Sequence, residues 1–191
     1  AGGPNAATRH YGHAGAPNER ILEATDMALI DMGGEYHCYA SDITCSFPVS
    51  GAFDARQRII YSGVLEAQLC IFDQLRPGVM WVDMHRIAWR ETLRALCATG
   101  ILTGSLDEMV AAEEEAHLGA TFLPCGLGHL IGIDTHDVGG YLDGTPPRPT
   151  LQGASNLRTA RRLEAGMVLT VEPGIYFIDC LMDAALANPA G

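Results

Sequence analysis

Met27-Ala-Leu-Ile-Asp31-Met-Gly-Gly-Glu-Tyr36-His-Cys-Tyr-Ala-Ser-Asp42-Ile-Thr-Cys-Ser-Phe47 is the stretch whose reading decides the fold. It reads as an apolar strand that ends on a carboxylate, a turn, and a return strand. A carboxylate at the inner end of an apolar strand is costly to bury unless it is exposed at the strand end or a cation compensates it. The pattern recurs at Met167-Val-Leu-Thr-Val-Glu172, which stops at Pro173-Gly174. Residues 27–36 and 167–176 form a faint internal echo, with the acids offset by one place, of the kind a duplicated, pseudo-symmetric fold leaves behind.

Register matters here. Asp31 and Asp42 face each other directly only if the loop centres near Tyr36-His37. Gly33-Gly34 is the stronger turn by composition, but a turn there sets Asp42 opposite Thr25 and separates the acids. The later turn is expected, with the glycines allowing a bulge or a close backbone approach. Pro124-Cys-Gly-Leu-Gly-His129 is a tight, glycine-rich turn ending on an imidazole. Several carboxylate oxygens with one imidazole suit a hard or borderline divalent ion, so metal is one way to compensate Asp31 and Glu172. Simple exposure is the other.

Around these strands the chain alternates helix and loop. Asp54-Ala-Arg-Gln57 has the form of a capping box. It opens a helix with Ile60, Val64, Ala67, Ile71 and Leu75 at helical spacing, stopped by Arg76-Pro77-Gly78. A second helix is expected over about 83–98, with Met84, Ile87, Ala88, Ala95 and Leu96 on one face. Ser105-Leu-Asp-Glu108 opens a third, running through Glu113-Glu114-Glu115, an acidic run expected to be a solvated face. Residues 141–156 carry three prolines and few apolar residues and read as a surface loop. Residues 167–172 read as a final strand.

The chain of 191 residues is long enough for one domain with a sizeable core. Its 48% hydrophobic and 18% charged composition suits a soluble globular protein. No apolar run approaches the length needed to cross a bilayer, and the first residues do not resemble a signal peptide. A net charge of −11 argues against a general nucleic-acid or anionic-membrane binder. All 12 basic residues other than histidine are arginine, which excludes a Schiff-base lysine, a pyridoxal anchor and a phosphate-loop lysine. The six cysteines form no CxxC pair and read as reduced thiols, several of them buried, in a reducing setting.

The segments His10-Tyr-Gly-His-Ala-Gly-Ala-Pro-Asn18, Asp31-Met-Gly-Gly-Glu-Tyr36, Ala40-Ser-Asp-Ile-Thr-Cys45, Gly126-Leu-Gly-His129, Asp134-Thr-His-Asp-Val-Gly-Gly-Tyr141 and Thr170-Val-Glu-Pro-Gly-Ile-Tyr176 resemble the pita-bread metallopeptidases over nearly the whole chain. Within that family they resemble the enzymes that cleave Xaa-Pro dipeptides more closely than methionine aminopeptidases or creatinases. The resemblance implies an α+β pita-bread fold, a curved, mostly antiparallel sheet backed by helices and incomplete at both ends. Residues 1–191 would then be a partial catalytic domain, without the family's amino-terminal domain and final strands.

The resemblance also implies a site. Asp31 would chelate one divalent ion, Asp42 would bridge two, and His129 and Glu172 would bind the other. Mn²⁺ is the first choice, with Co²⁺ or Zn²⁺ as alternatives. Glu172 would also shuttle a proton. His10 and His136 would face the substrate and its developing oxyanion, and Arg158 would hold the terminal carboxylate. The substrate would be an Xaa-Pro dipeptide, and the parent enzyme a cytoplasmic homodimer. The family's fifth ligand, a bridging glutamate, lies past residue 191, so this chain alone is expected to bind metal weakly and to be inactive. Cys125 departs from the family's usual histidine and could alter pocket shape or pH behaviour. As a nucleophile Cys125 lacks a base, because a metal-bound His129 cannot serve. His13 stays open. His37, His85 and His117 read as satisfied core or surface residues, and Arg161 and Arg162 as solvent-facing. The rival readings are an aminopeptidase P-type or other pita-bread hydrolase sharing every ligand, and a non-catalytic binding relative, in which ligands are normally replaced.

Overall fold

The computed structural model describes residues 1–7 and 20–188. The expectations for His10 and His13 lie outside the described residues. The chain runs β1 (Met27–Met32), β2 (Glu35–Tyr36), β3 (Tyr39–Ala40), β4 (Ile43–Pro48), α1 (Ala55–Gln74) and α2 (Trp81–Ala98). Three short helices follow, α3 (Leu106–Ala111), α4 (Glu113–Ala116) and α5 (Leu118–Phe122), then a long irregular stretch and α6 (Asp179–Ala187). Among the described residues no helix is long and apolar enough to cross a membrane.

The opening strands form one antiparallel hairpin divided into two small sheets, β1–β4 and β2–β3. The turn is the later one, at His37-Cys38, both with positive φ (50° and 68°), as a two-residue hairpin of this hand requires. The register differs from the expected one by two residues. Asp31 pairs with Thr44, and the same register carried into β2–β3, where Tyr36 pairs with Tyr39, sets Gly33 opposite Asp42. The two aspartates are therefore diagonal neighbours on one face. Gly33-Gly34 splits the ladder. A Cβ on Gly33 would lie 1.7 Å from the Ser41 carbonyl oxygen, and the Gly34 N–H donates to the Ser41 hydroxyl at 3.0 Å. Composition marks these glycines correctly as special, but their use is close approach rather than reversal.

The helix readings fare better. The Asp54 carboxylate accepts from the Gln57 N–H at 2.8 Å and the Gln57 side-chain oxygen accepts from the Asp54 N–H at 3.0 Å. α1 packs on α2 where Gly63 meets Ala95, too close for any larger residue at 63, since a Cβ there would lie 2.5 Å from that of Ala95. The core gathers on α2, with Trp81, Met84, Ala88 and Trp89 packed among Ile71, Leu123, Leu127, Leu157 and Leu163. Each leucine, isoleucine or methionine among them contributes roughly 1.5–3 kcal/mol of burial. The two indoles also reach out of the core. Trp89 Nε1 donates to the Leu123 carbonyl at 3.1 Å and Trp81 Nε1 to the Gly128 carbonyl at 3.3 Å. They tie α2 to the segment that leads into His129.

Several expectations need correction. The third helix breaks into α3 and α4 at Ala112 (φ −84°, ψ 1°), and His117, in a left-handed conformation (φ 53°), separates α4 from α5. The acidic run is not wholly solvated. Glu113 is buried and accepts from the Gly119 and Ala120 N–H groups at 2.7 and 3.2 Å, so it satisfies unpaired donors at the start of α5. Residues 167–172 form no regular strand. They run along residues 127–131 on backbone hydrogen bonds from the Ile131, Thr170 and Glu172 N–H groups, with one isolated bridge, Leu130–Leu169, and their partner is a glycine-rich turn. Of the cysteines, Cys70, Cys97 and Cys125 are half-buried and the other three exposed, all six as free thiols. Arg161 is not solvent-facing. It is half-buried, donating to the Gly139 carbonyl at 3.2 Å and pairing with Glu164 at 2.6 Å.

His85 is a core residue, as expected, but not a satisfied one. It is fully buried against Trp89, with ring centroids 4.2 Å apart, and among the described residues neither ring nitrogen has a hydrogen-bond partner. Burial, and secondarily the charge of Arg86, pushes its pKa down from 6.5 to about 4. Above pH 6.5 His85 is neutral folded or unfolded and adds no pH dependence. Between 6.5 and about 4 the unfolded chain takes a proton that the folded one refuses. Stability should therefore fall over that window by up to roughly 3 kcal/mol and level off below it. Urea unfolding of the wild type and of His85→Phe from pH 7.5 to 4 measures this as a difference between the two curves; parallel curves would refute it.

Candidate metal centre

The site is assembled where the hairpin meets two loop segments. His129 ends the turn that Trp81 anchors, and Glu172 lies on the facing segment. The Thr170 N–H donates to the His129 carbonyl at 2.9 Å and the Glu172 N–H to the Leu127 carbonyl at 2.6 Å. Thr170 and Glu172, two residues apart on an extended chain, project to one face. The Thr170 hydroxyl accepts from the His129 N–H at 3.0 Å and donates to Glu172 Oε1 at 2.5 Å. One hydroxyl thus fixes both chemistry-bearing residues. The sequence reading passed over Thr170, although its period-two spacing from Glu172 was there to be used. The hairpin is joined on through the Ala40 N–H, which donates to the Gly132 carbonyl at 2.8 Å.

Asp42, His129 and Glu172 converge, each offering a ligand atom within 4.8 Å of the others. His129 Nε2 stands 3.1 Å from Asp42 Oδ2 and 3.2 Å from Glu172 Oε1. Its Nδ1 lies 2.8 Å from the Leu130 carbonyl, an acceptor, so Nδ1 carries the proton and neutral His129 turns a bare Nε2 lone pair toward two carboxylates. Asp31, exposed and outside the converging three, lines the same cleft as they do and adds a third acid beside Asp42. Burial raises the Asp42 pKa, and the Glu172 charge and Asp31 raise it further. Burial disfavours the His129 imidazolium, but Glu172, the Leu130 carbonyl and Asp42 outweigh it, and the net shift is upward. Both shifts say that the cluster lacks positive charge. These donors fit a divalent cation: carboxylate oxygens and a ring nitrogen, with the other ring nitrogen held by a backbone carbonyl as metal-binding histidines commonly are.

The centre opens into a cleft of about 1080 Å³. His136 is exposed there, its ring 4.5 Å from that of His129 and nearly perpendicular to it at 82°. Arg158 is exposed on the same cleft, as is Arg148, and Cys125 lines it half-buried. Of the sequence-predicted residues, Asp31, Asp42, His129, Glu172, His136 and Arg158 are thus brought to one cleft.

The model for metallopeptidase family M24 matches residues 1–186. A human Xaa-Pro dipeptidase is 58% identical over 98% of this chain, which spans 37% of that relative's length. A probable Xaa-Pro aminopeptidase of Verticillium alfalfae is 41% identical over 99% of the chain and 39% of its own length. Among solved structures, the zinc-substituted aminopeptidase P of Escherichia coli in complex with product superposes with a TM-score of 0.74 at 38% identity, covering 93% of this chain and 35% of that one.

The approach of the two segments depends on Gly128, where a Cβ would lie 2.1 Å from the Thr170 carbonyl oxygen; at Gly126 the closest contact would be 3.1 Å. Gly128→Ala should destabilise by about 1–3 kcal/mol, as overpacking does, and Gly126→Ala by distinctly less. Urea unfolding of both variants checks this. A Gly128→Ala midpoint matching wild type would mean the segments are not held this closely.

Proposed function

The chain belongs to metallopeptidase family M24, and we propose that it is catalytic-domain sequence of an enzyme that hydrolyses Xaa-Pro dipeptides. Its fold is the family's pita-bread fold, mixed helices and antiparallel strands. Metallopeptidases of this family use divalent metal ions. The observation that carries the reading is His129 Nε2 held between Asp42 and Glu172 with its other nitrogen already committed.

In this reading Asp31, Asp42, His129 and Glu172 would hold two divalent ions. Three carboxylates and one imidazole favour Mn²⁺, with Co²⁺ or Zn²⁺ as alternatives. When bound, such ions lower the pKa of a shared water and polarise the scissile carbonyl. The chain's own residues do the rest. Glu172, oriented by Thr170, takes the proton from the attacking water and passes it to the leaving nitrogen. His136, beside His129, stabilises the oxyanion that develops on the carbonyl. Arg158 holds the substrate's free carboxylate with a planar fork of donors, and the family resemblance gives His10, outside the described residues, a further substrate-facing role. Free cysteines support a reducing, cytosolic setting.

The test has two parts. Titration calorimetry of the protein carrying this chain with Mn²⁺ should give binding that Asp42→Asn abolishes or weakens at least 100-fold; equal binding by the variant would remove Asp42 from the centre. The metal-loaded protein carrying this chain should hydrolyse glycyl-proline in preference to a Gly-Pro-Xaa tripeptide. Preference for the tripeptide would move the assignment to an aminopeptidase P, and cleavage of neither would overturn it.

A further inference from the structure

Arg148 has no place in the function proposed above, yet it makes a specific set of contacts beside Arg158. It rises from the irregular loop after Tyr141 and stacks on that ring, its guanidinium carbon 4.4 Å from the ring centre. Its NH1 donates to the Ser155 carbonyl at 3.0 Å and also to the Leu157 carbonyl. The Tyr141 hydroxyl donates to the same Leu157 carbonyl at 2.9 Å. That carbonyl belongs to the peptide bond immediately before Arg158. On the other side of Arg158, the Thr159 hydroxyl donates to the Gly140 carbonyl at 3.0 Å. Gly140 itself lies so near that a Cβ there would be 2.1 Å from the Arg158 carbonyl oxygen. The Leu157 side chain is fully buried, and the Asn156 amide donates to the Pro124 carbonyl at 2.7 Å. The backbone at Arg158 is thus clamped from both sides while its side chain stands exposed on the cleft.

We propose that Arg148, stacked on Tyr141, is a positioning residue for Arg158 and so sets the preference for substrates with a free terminal carboxylate. The proposal rests on the reading that Arg158 receives that carboxylate. A bidentate arginine–carboxylate contact depends on the plane and direction of the guanidinium, which the backbone beneath it governs. A cation fits the bracing task. A charged donor strengthens its hydrogen bonds to carbonyl oxygens, and its flat face stacks on the tyrosine ring. Neither needs secondary structure, which the loop does not have.

The metal-loaded protein carrying this chain tests it, as wild type, Arg148→Gln, Tyr141→Phe, Arg158→Ala and the Arg148→Gln/Arg158→Ala double variant. The substrates are glycyl-proline and glycyl-prolinamide. Arg148→Gln should raise KM for glycyl-proline about tenfold with kcat within about twofold, leave the amide's kcat/KM unchanged, and add nothing in the Arg158→Ala background. Tyr141→Phe, which keeps the ring and removes one donor, should move KM the same way by less, and it stands in if Arg148→Gln folds poorly. A raised KM in Arg158→Ala with none in Arg148→Gln or Tyr141→Phe overturns the proposal and leaves the reading of Arg158 intact. Additive effects in the double variant overturn it too, because Arg148 would then act directly. An unchanged KM in Arg158→Ala overturns the carboxylate reading and the proposal with it. Amide hydrogen exchange over residues 155–159, followed without metal, should quicken in Arg148→Gln; unchanged exchange overturns the brace independently of activity.

Discussion

His129 imposes the constraint on which the site depends. With its Nδ1 proton given to the Leu130 carbonyl, the ring turns Nε2 toward Asp42 and Glu172 at 3.1 and 3.2 Å. Three electron-rich groups facing one another in a partly buried place are costly unless a cation sits among them. A proton can do this by charging the imidazole, and a divalent ion can do it for all the acids at once. The rest of the local structure keeps this conflict from relaxing. Trp81 holds the turn at Gly128, Gly128 lets the facing segment come close, and Thr170 ties His129 and Glu172 to one oxygen. Any of the three could be spared by a looser site. Together they forbid the histidine from swinging away.

Site residues on irregular segments need rigidity from elsewhere, and here it comes from α2. The buried face of that helix, from Trp81 to Leu96, makes the core, and its two indole N–H groups reach backbone carbonyls at Leu123 and Gly128. The same side chains that gain burial therefore also satisfy backbone acceptors that the absence of regular strand at 123–128 would leave unpaired. Glu113 does the converse at α5, a buried acid supplying acceptors to unpaired donors. Packing and polar satisfaction are met by the same few residues, which is how a chain with so little sheet holds a defined site.

What could be read in advance follows from how local each cause is. The Asp54–Gln57 box is a four-residue pattern and was legible as such. So was the α2 face, whose period is set by the helix alone. Asp31, Asp42, His129 and Glu172 stood out because their surroundings, apolar strands and glycine turns, disfavour charge. The hairpin register was missed by two residues because setting Asp31 directly opposite Asp42 puts the loop at Tyr36-His37, whereas the chain turns at His37-Cys38 and leaves the two acids diagonal. The 167–172 segment looked like a strand because its residues favour one, but strand formation also needs a partner with a matching ladder, which lies some forty residues away in a turn. Arg148 and Asn156 were invisible because their partners are backbone carbonyls, which carry no sequence identity at all.

Glu113 and Asp42 show why a buried acid by itself does not indicate metal. Both are carboxylates removed from water, and burial raises the pKa of each. The difference lies in what their oxygens face. Glu113 meets two backbone N–H groups, whose partial positive charge lowers its pKa again, so its site is complete within the protein. Asp42 meets two other acids, Glu172 and Asp31, which push it further up, and only His129 opposes them. A carboxylate surrounded by donors is a structural cap. One surrounded by acceptors is an unbalanced charge, and it stays folded in place only because the packing behind it is stronger than the repulsion. That imbalance is the physical content of the metal reading, and it belongs to Asp42 and Glu172 but not to Glu113, although in sequence the glutamate run looked the more acidic feature.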